Sequence, residues 1–246
     1  MSLRESLAPL LDLVYPPRCP LCGAAIGGQT GLCTACWAEL AIPGEPVCVA
    51  CGRPFGDAVP DGATCAPCLA DPPRHDGIAA ATLYNDASRK LVLSLKHGNR
   101  IALAPMMAAL MTGKLAMVGP NWIVVPVPLH RWRLWKRGYN QAAELGREIA
   151  RRTGARLEVD ALLRRKATPS LGGLGKLARK RALSGAITAR PNRLPVLKGA
   201  KVLLVDDVLT SGATSAACVS VLKRAGAEKV VIACFARVLD EALNVT

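Results

Sequence analysis

The chain has 246 residues, of which 51% are hydrophobic and 20% are charged, so it is large and apolar enough to bury a sizeable core. Its formal net charge is +14, and aromatic residues make up 4% of the sequence. This composition is typical of a globular protein, and no apolar run is long enough to span a bilayer.

The charge is unevenly distributed along the chain. Residues 1–75 contain four Lys or Arg and seven Asp or Glu, whereas the remaining residues carry a net charge of +17. Eleven basic residues and no acidic residue lie between Asp160 and Asp206. Such a field predicts an anionic partner, which could be a polyphosphate, a nucleic acid or both. A well-solvated basic surface is the alternative interpretation.

The first apolar stretch is interrupted by Asp12 and lacks a small-residue cleavage site, so it does not resemble a secretory signal. We therefore expect a soluble cytoplasmic protein. Disulfides are not favoured in that compartment, although the chain contains ten cysteines.

Eight cysteines form four Cys-x-x-Cys pairs near the start of the chain. One pair on a tight turn can direct two thiolates at one ion, and two pairs complete a tetrahedral zinc site. A redox-active motif would be a single pair, and an iron–sulfur cluster is the less favoured alternative. We predict two structural zinc ions with the ligands Cys19, Cys22, Cys33, Cys36, Cys48, Cys51, Cys65 and Cys68.

Sequential grouping, with the first four cysteines on one ion and the last four on another, is favoured over interleaved grouping. The cysteine-rich stretch has little apolar periodicity, so metal is expected to provide most of its folding energy. The other two cysteines, Cys218 and Cys234, have apolar neighbours and are predicted to lie in the core.

The composition changes near residues 71–77, which predicts an N-terminal helix and cysteine-rich domain over 1–72 and a second domain over 73–246. In the second domain, strand-like and helix-like segments alternate. Strands are predicted over 77–85, 122–128, 201–207 and 229–238, and helices over 87–98, 101–115, 140–154 and 215–226. This alternation predicts an α/β fold whose parallel sheet is covered on both faces.

The segment "VLLVDDVLTSGAT" places Asp206 and Asp207 directly after an apolar strand. In parallel sheets, ligands bind at the carboxyl ends of strands. The small residues that follow predict a turn into a helix, whose backbone N–H groups favour a phosphate. Because adjacent carboxylates accept hydrogen bonds from vicinal hydroxyls, the segment predicts a sugar phosphate with a free diol. A strand end with solvated aspartates is the alternative.

The same segment closely resembles the 5-phosphoribosyl-1-pyrophosphate (PRPP) motif of type I phosphoribosyltransferases. The resemblance implies that Asp206 and Asp207 are the catalytic acidic pair that binds the ribose hydroxyls. It also implies that Mg²⁺ accompanies the pyrophosphate. The loop implied to bind the 5′-phosphate consists of Thr210, Ser211, Gly212, Ala213 and Thr214.

The segment "VVPVPLHRWRLWKRGYNQ" is similar to the pyrophosphate loop of the ComF family, and "RGYNQ" is especially characteristic. Four cysteine pairs before a phosphoribosyltransferase-like domain also resemble the ComF arrangement, called a double zinc ribbon. Arg131 and Arg137 are candidate PRPP contacts, and Arg133, Lys136 and Tyr139 are candidate nucleic-acid or polyanion contacts. The resemblance implies a role in natural competence and DNA uptake.

The segment 162–187 occupies the place of the mobile loop in that family, but it has Leu171 and Ala182 where the family usually has Gln and Asn. Its candidate polyanion contacts are Arg164, Lys176, Arg179 and Arg181. Lys96 is a further candidate ligand contact, because the family often has a lysine there. No Ser/His/Asp or Cys/His nucleophile is indicated.

Three functions are compatible with these features. The first is Mg²⁺-dependent phosphoribosyl transfer to an acceptor, an activity of nucleotide metabolism. The second is binding of single-stranded DNA by a catalytically inactive fold, with Trp132 and Trp135 stacking on bases and Trp122 in the core. The third is an inactive fold whose zinc ribbon docks a partner, such as another competence protein.

Overall fold

The computed structural model describes residues 15–56, 59–60, 62–97, 100–166 and 185–239. The predicted N-terminal helix lies outside the described residues, as do three of the predicted loop contacts, Lys176, Arg179 and Arg181. Within these ranges, no helix combines the length and the apolarity needed to cross a membrane.

The central element is a five-stranded sheet in the order β1-β7-β6-β2-β3, and every pair in it is parallel. A separate antiparallel pair is formed by β4 and β5. The strands are β1 (Ile78–Leu83), β2 (Trp122–Pro126), β3 (Arg156–Leu157), β4 (Leu162–Arg164), β5 (Ile187–Ala189), β6 (Lys201–Leu209) and β7 (Lys229–Arg237). The predicted α/β class with a parallel sheet is confirmed.

The helices predicted after the cysteine-rich stretch are all present, with ends shifted by a few residues. The helices are α1 (Thr34–Ala38), α2 (Ala66–Ala70), α3 (Asp86–His97), α4 (Ala104–Thr112), α5 (Arg131–Arg137), α6 (Gln141–Thr153), α7 (Leu194–Leu197) and α8 (Ala213–Arg224). One turn of 3₁₀ helix precedes α4 and another precedes α7. As predicted, Asn140 caps α6, and its side chain accepts a hydrogen bond from the backbone N–H of Ala142.

Helix α5 is not among the predicted helices, because its seven residues belong to the segment that resembles a pyrophosphate loop. His130 caps it through Nδ1, which accepts from the backbone N–H of Trp132 at 3.4 Å. Gly138 ends it with φ of 79°, a left-handed conformation that favours glycine. The helix therefore depends on its two caps, since none of its residues is buried.

Alternate residues of β6 pack on opposite faces of the sheet. Leu203 and Val205 lie in the core that includes α3, α4 and α6, whereas Val202 and Leu204 lie in the core that includes α8. Both faces are therefore covered, as the strand sequences predicted. Cys218 and Cys234 are 0% exposed, which confirms that they are core residues.

The site region is determined by where neighbouring strands stop. Strand β2 pairs with β6 only as far as Pro126 and Val205, whereas β6 continues beside β7 to Leu209. After β2 the chain continues through α6 on one face, and after β6 it continues through α8 on the other. The two connections diverge between β2 and β6, and such a switch point opens a ligand crevice at the carboxyl edge.

The cysteine-rich segment packs against the outer edge of the sheet, along β1. The backbone N–H of Leu83 donates to the carbonyl of Ala41 at 2.7 Å. Gly52 approaches β1 so closely that a Cβ there would lie 2.5 Å from the carbonyl oxygen of Ile78. At the end of β7, the guanidinium of Arg237 donates to the carbonyl of Cys51. The segment thus covers an edge strand that would otherwise expose unpaired backbone groups.

Candidate ligand site and zinc centres

The eight paired cysteines form two groups of four, Cys19–Cys22–Cys33–Cys36 and Cys48–Cys51–Cys65–Cys68, with the Sγ atoms of each group within 4.8 Å of one another. Two Sγ–Sγ separations are 3.5 Å, between Cys22 and Cys33, and 3.8 Å, between Cys51 and Cys65. Four thiolates bound tetrahedrally at ~2.3 Å from zinc lie ~3.8 Å apart. Both groups therefore fit a structural zinc ion, and the grouping is sequential, as favoured.

Backbone geometry prepares the first cysteine of each group for metal binding. Burial opposes ionisation of Cys19, but backbone N–H groups of Cys33, Cys22 and Leu21 outweigh it and lower its pKa to about 6. Burial likewise opposes ionisation of Cys48, yet backbone N–H groups, including that of Cys65 at 3.3 Å, lower its pKa to about 6. Because thiolates rather than thiols bind zinc, these hydrogen bonds favour metal binding at neutral pH.

The acidic pair lies within β6, just beyond the end of β2. The sequence placed Asp206 and Asp207 at the end of this strand, but β6 continues two residues further along β7. Neighbouring strand residues point to opposite faces. Asp207 is 3% exposed, and its Oδ2 lies 2.7 Å from Nζ of Lys96 on α3. Asp206 is half-buried, and its Oδ1 accepts the backbone N–H of Asp207 at 2.9 Å.

Electrostatics distinguishes the two carboxyl groups. Burial, and then the adjacent Asp207 carboxylate, raise the pKa of Asp206 well above its usual value, while Lys96 opposes this shift. The Asp206 charge also acts on its neighbour in β7, Cys234, which lies on the same face of the sheet. There it adds to the effect of burial in raising the pKa of Cys234 to about 12. The pair therefore presents one carboxylate that is ion-paired and one that loses its proton less readily.

The loop after β6 has the predicted form. Thr210 and Ser211 are exposed, and Gly212 adopts φ of 69° as the N-cap residue of α8. Ala213 and Thr214 form the first turn of this 12-residue helix. Since Gly212 has no side chain to cap the helix, the first-turn N–H groups and the positive helix end can bind an anion.

A basic and aromatic surface lies on α5, and we call it the α5 face. The indole rings of Trp132 and Trp135 are 64% and 78% exposed and pack edge to face with centroids 5.4 Å apart. The cations of the α5 face are Arg131, Arg133 and Lys136. Arg137, at the end of the helix, donates to Oε1 of Gln141 at 3.1 Å.

Two aromatic residues differ from the α5 tryptophans. Trp122 is 6% exposed, which confirms its predicted place in the core. Tyr139, predicted as a candidate contact, is half-buried, and its hydroxyl donates to the backbone carbonyl of Leu95. Burial raises the pKa of Tyr139. Its hydroxyl therefore ties the start of α6 to α3.

Arg164 connects the α5 face to the acidic pair. Its backbone forms a parallel bridge with His130, the N-cap residue of α5. Burial, and then the charge of Arg133, lower the pKa of Arg164, while Cys218 and Asp206 oppose this shift. Of the predicted loop contacts, Arg164 is thus the one that the described residues bring to the site.

Two residues that organise this region have only weak signals in the sequence. Lys96 was indicated by resemblance alone, and its contact with Asp207 joins residues 111 positions apart in the chain. Arg237 was not singled out, although it links the sheet to the second cysteine group. A basic residue at the end of a helix or strand is a common feature, so the sequence contained no distinctive signal for either contact.

These features define a protein in which two four-cysteine centres accompany a phosphoribosyltransferase-like α/β domain. A family model described as a double zinc ribbon domain matches residues 10–69, and one described as a phosphoribosyl transferase domain matches residues 142–245. The two matched ranges contain the cysteine groups and the acidic pair, respectively.

The chain belongs to the ComF family. It is 30% identical over 235 residues to the DNA utilization protein YhgH of Escherichia coli (strain K12), covering 92% of this chain and 100% of that protein. It is 28% identical over 213 residues to Competence protein F of Haemophilus influenzae, covering 82% of this chain and 88% of that one.

Solved structures give a weaker likeness. The chain is 23% identical to the protein described as the allosteric regulatory enzyme of purine biosynthesis, covering 53% of this chain and 25% of that one, with a TM-score of 0.35. That score is too low to support a conclusion about fold or function.

Proposed function

We propose that this protein binds PRPP with Mg²⁺ at the carboxyl end of β6 and acts in the handling of DNA during natural competence. One observation carries the proposal. Asp206 and Asp207 lie at the switch point between β2 and β6, and Asp207 comes five residues before the left-handed Gly212 that opens α8. This arrangement offers carboxylates for a diol and helix N–H groups for a phosphate.

Each part of PRPP has a counterpart in this site. Asp206 and Asp207 accept hydrogen bonds from the ribose hydroxyls, while the turn from Thr210 to Thr214 binds the 5′-phosphate. Arg131 and Arg137, at the two ends of α5, neutralise the pyrophosphate, for which guanidinium groups are well suited.

Magnesium fits this donor set, because carboxylate and phosphate oxygens are the hard ligands that Mg²⁺ prefers. When bound with PRPP, it would neutralise charge on the pyrophosphate and make it a better leaving group. A positioned acceptor could then displace pyrophosphate from C1 of the ribose without a protein nucleophile. Phosphoribosyl transfer is therefore the reaction that we propose for the site.

Titration with PRPP and Mg²⁺ tests the binding step. Calorimetry should show saturable heat, and the thermal midpoint should rise, because a ligand at 100 times its Kd stabilises the folded state by about 2.7 kcal/mol. Mg²⁺ alone and inorganic phosphate are the controls. The absence of both heat and stabilisation would contradict the proposal.

A second candidate function, binding of single-stranded DNA, is favoured by the α5 face. Trp132 and Trp135 expose two rings beside three cations and no acidic residue on a single helix. Stacking of one base on an aromatic side chain contributes about 1–3 kcal/mol, and cations supply the salt-dependent part of the affinity. The two functions are compatible, because the α5 face and the acidic pair lie on either side of Arg164.

Two sets of α5 variants should separate these contributions. The W132A/W135A variant should weaken oligothymidylate binding at least tenfold without changing the slope of log K against log salt. The R133A/K136A variant should lower that slope by about 0.7 for each lost phosphate contact. Fluorescence anisotropy at several salt concentrations measures both effects. W37A, which removes a half-exposed indole from α1, is the control. An equal loss of oligothymidylate affinity in W37A would contradict the proposal that the α5 face binds single-stranded DNA.

A further inference from the structure

We propose that Lys96 is a positioning residue that fixes Asp207 for ribose recognition, so that the site distinguishes ribose phosphates from 2-deoxyribose phosphates. This inference rests on the proposed function of the acidic pair. It assigns the two carboxylates different environments and gives a specific role to a lysine on a separate helix.

The contact itself is short and largely shielded from water. Nζ of Lys96 lies 2.7 Å from Oδ2 of Asp207, and the two side chains are 22% and 4% exposed. Removing one partner of such a buried pair is strongly destabilising, because it leaves the other charge without a counter-charge. Lys96 therefore supplies the counter-charge of the Asp207 carboxylate and fixes its Oδ2 in place.

Lys96 is itself held in place by its neighbours. It lies in the last turn of α3, whose residues Leu91 and Leu95 are 0% exposed in the core. The carbonyl of Leu95 accepts the hydroxyl of Tyr139, which fixes the end of α3 against the start of α6. The lysine side chain thus extends from an anchored backbone towards β6, and its ammonium does not need a ligand to position it.

Asp207 keeps capacity for a ligand despite this ion pair. Within the described part of the chain, its buried Oδ2 accepts no hydrogen bond of regular geometry. A carboxylate oxygen has two lone pairs, so an ordered hydroxyl can still donate to Asp207. A sugar that lacks the hydroxyl would leave this buried acceptor one hydrogen bond short, although its charge stays paired with Lys96, and sites of this kind reject such analogues.

Calorimetric titration with ribose 5-phosphate and 2-deoxyribose 5-phosphate tests the inference. The wild type should bind ribose 5-phosphate at least tenfold more tightly. K96M should lose most of that affinity and bind the two sugars within about threefold of each other, and K96R should partly restore the preference. K90M, an exposed substitution on the same helix, should behave as wild type. If K96M does not fold, K96Q carries the same expectation, because it retains a donor but removes the charge.

The outcomes distinguish this inference from the proposed function. If the wild type binds neither sugar and does not bind PRPP with Mg²⁺, both fail. If it binds PRPP with Mg²⁺ but does not prefer ribose 5-phosphate to 2-deoxyribose 5-phosphate, the inference alone fails. If it binds ribose 5-phosphate but K96M keeps the wild-type preference, the inference alone fails. Titration with inorganic pyrophosphate is the remaining test, because a positioning role predicts that K96M binds pyrophosphate as tightly as the wild type does. A loss of pyrophosphate affinity equal to that for ribose 5-phosphate would instead make Lys96 a direct phosphate contact and overturn the positioning role.

Discussion

Replacing both Asp206 and Asp207 by asparagine is expected to weaken PRPP binding at least 100-fold. Hydrogen bonds to charged acceptors contribute about 1.5–3 kcal/mol each, and the double variant removes both charged acceptors while preserving side-chain volume. Calorimetry in the presence of Mg²⁺ measures the loss. The fold should persist, because neither substitution changes an apolar contact between β6 and its neighbouring strands.

The single variants should differ. D207N should lower PRPP affinity more than D206N does, because D207N also leaves the ammonium of Lys96 without its charged partner. D206N removes the half-buried carboxyl group, whose pKa burial already raises. D86N, at the exposed start of α3, is the control for loss of a negative charge. If D206N/D207N binds PRPP as tightly as the wild type does, the acidic pair is not part of the PRPP site.

Loss of the second zinc centre is expected to loosen β1 as well as the cysteine-rich segment. Structural zinc contributes about 10–16 kcal/mol to the folding of small metal domains, and the C48S/C51S variant removes two of four ligands. The segment that they organise covers β1 and accepts a hydrogen bond from Arg237. We expect bound zinc to fall from two ions to one and hydrogen exchange of the β1 amides to accelerate. Elemental analysis and exchange mass spectrometry measure these effects.

Glycine variants separate metal loss from loss of docking. At Gly52, φ is +64° and a Cβ would meet the carbonyl oxygen of Ile78 at 2.5 Å, so G52A should disturb docking on β1. Gly23 has φ of +77° in the equivalent place of the first knuckle, with nothing within 4 Å of a Cβ, so G23A carries similar strain without the clash. Both variants should retain two zinc ions. If the β1 amides of G52A exchange hydrogen as slowly as those of the wild type, strand β1 is stable without the close contact between Gly52 and Ile78.

The proposed ligand site and the zinc centres depend on the sheet in different ways. The acidic pair lies where β2 stops and β6 continues, so its position follows from strand lengths and from the direction of each connection. The second cysteine group instead covers β1, at the opposite edge of the sheet from β3. Zinc binding should therefore affect PRPP affinity mainly through the stability of the sheet.

Local pattern was sufficient for much of the molecule. The spacing of the cysteine pairs predicted both ligand groups, because two thiolates three residues apart converge on one ion wherever the turn occurs. Alternation of strands and helices predicted a parallel sheet, and Asn140 and Gly154 marked the ends of α6. The proposed diol and phosphate chemistry of Asp206 to Thr214 was also predicted from consecutive residues.

Tertiary structure decided the features that join distant parts of the chain. Lys96 meets Asp207, and Arg237 meets the carbonyl of Cys51, because sheet order brings these residues together after long intervals. Helix α5 is a similar case, since its Arg, Lys and Leu residues favour a helix but seven residues are too few to form one without the caps at His130 and Gly138. Spacing along the sequence predicts which groups are close together along the backbone. Which charged residue meets a buried carboxylate depends instead on how distant elements pack in the folded chain.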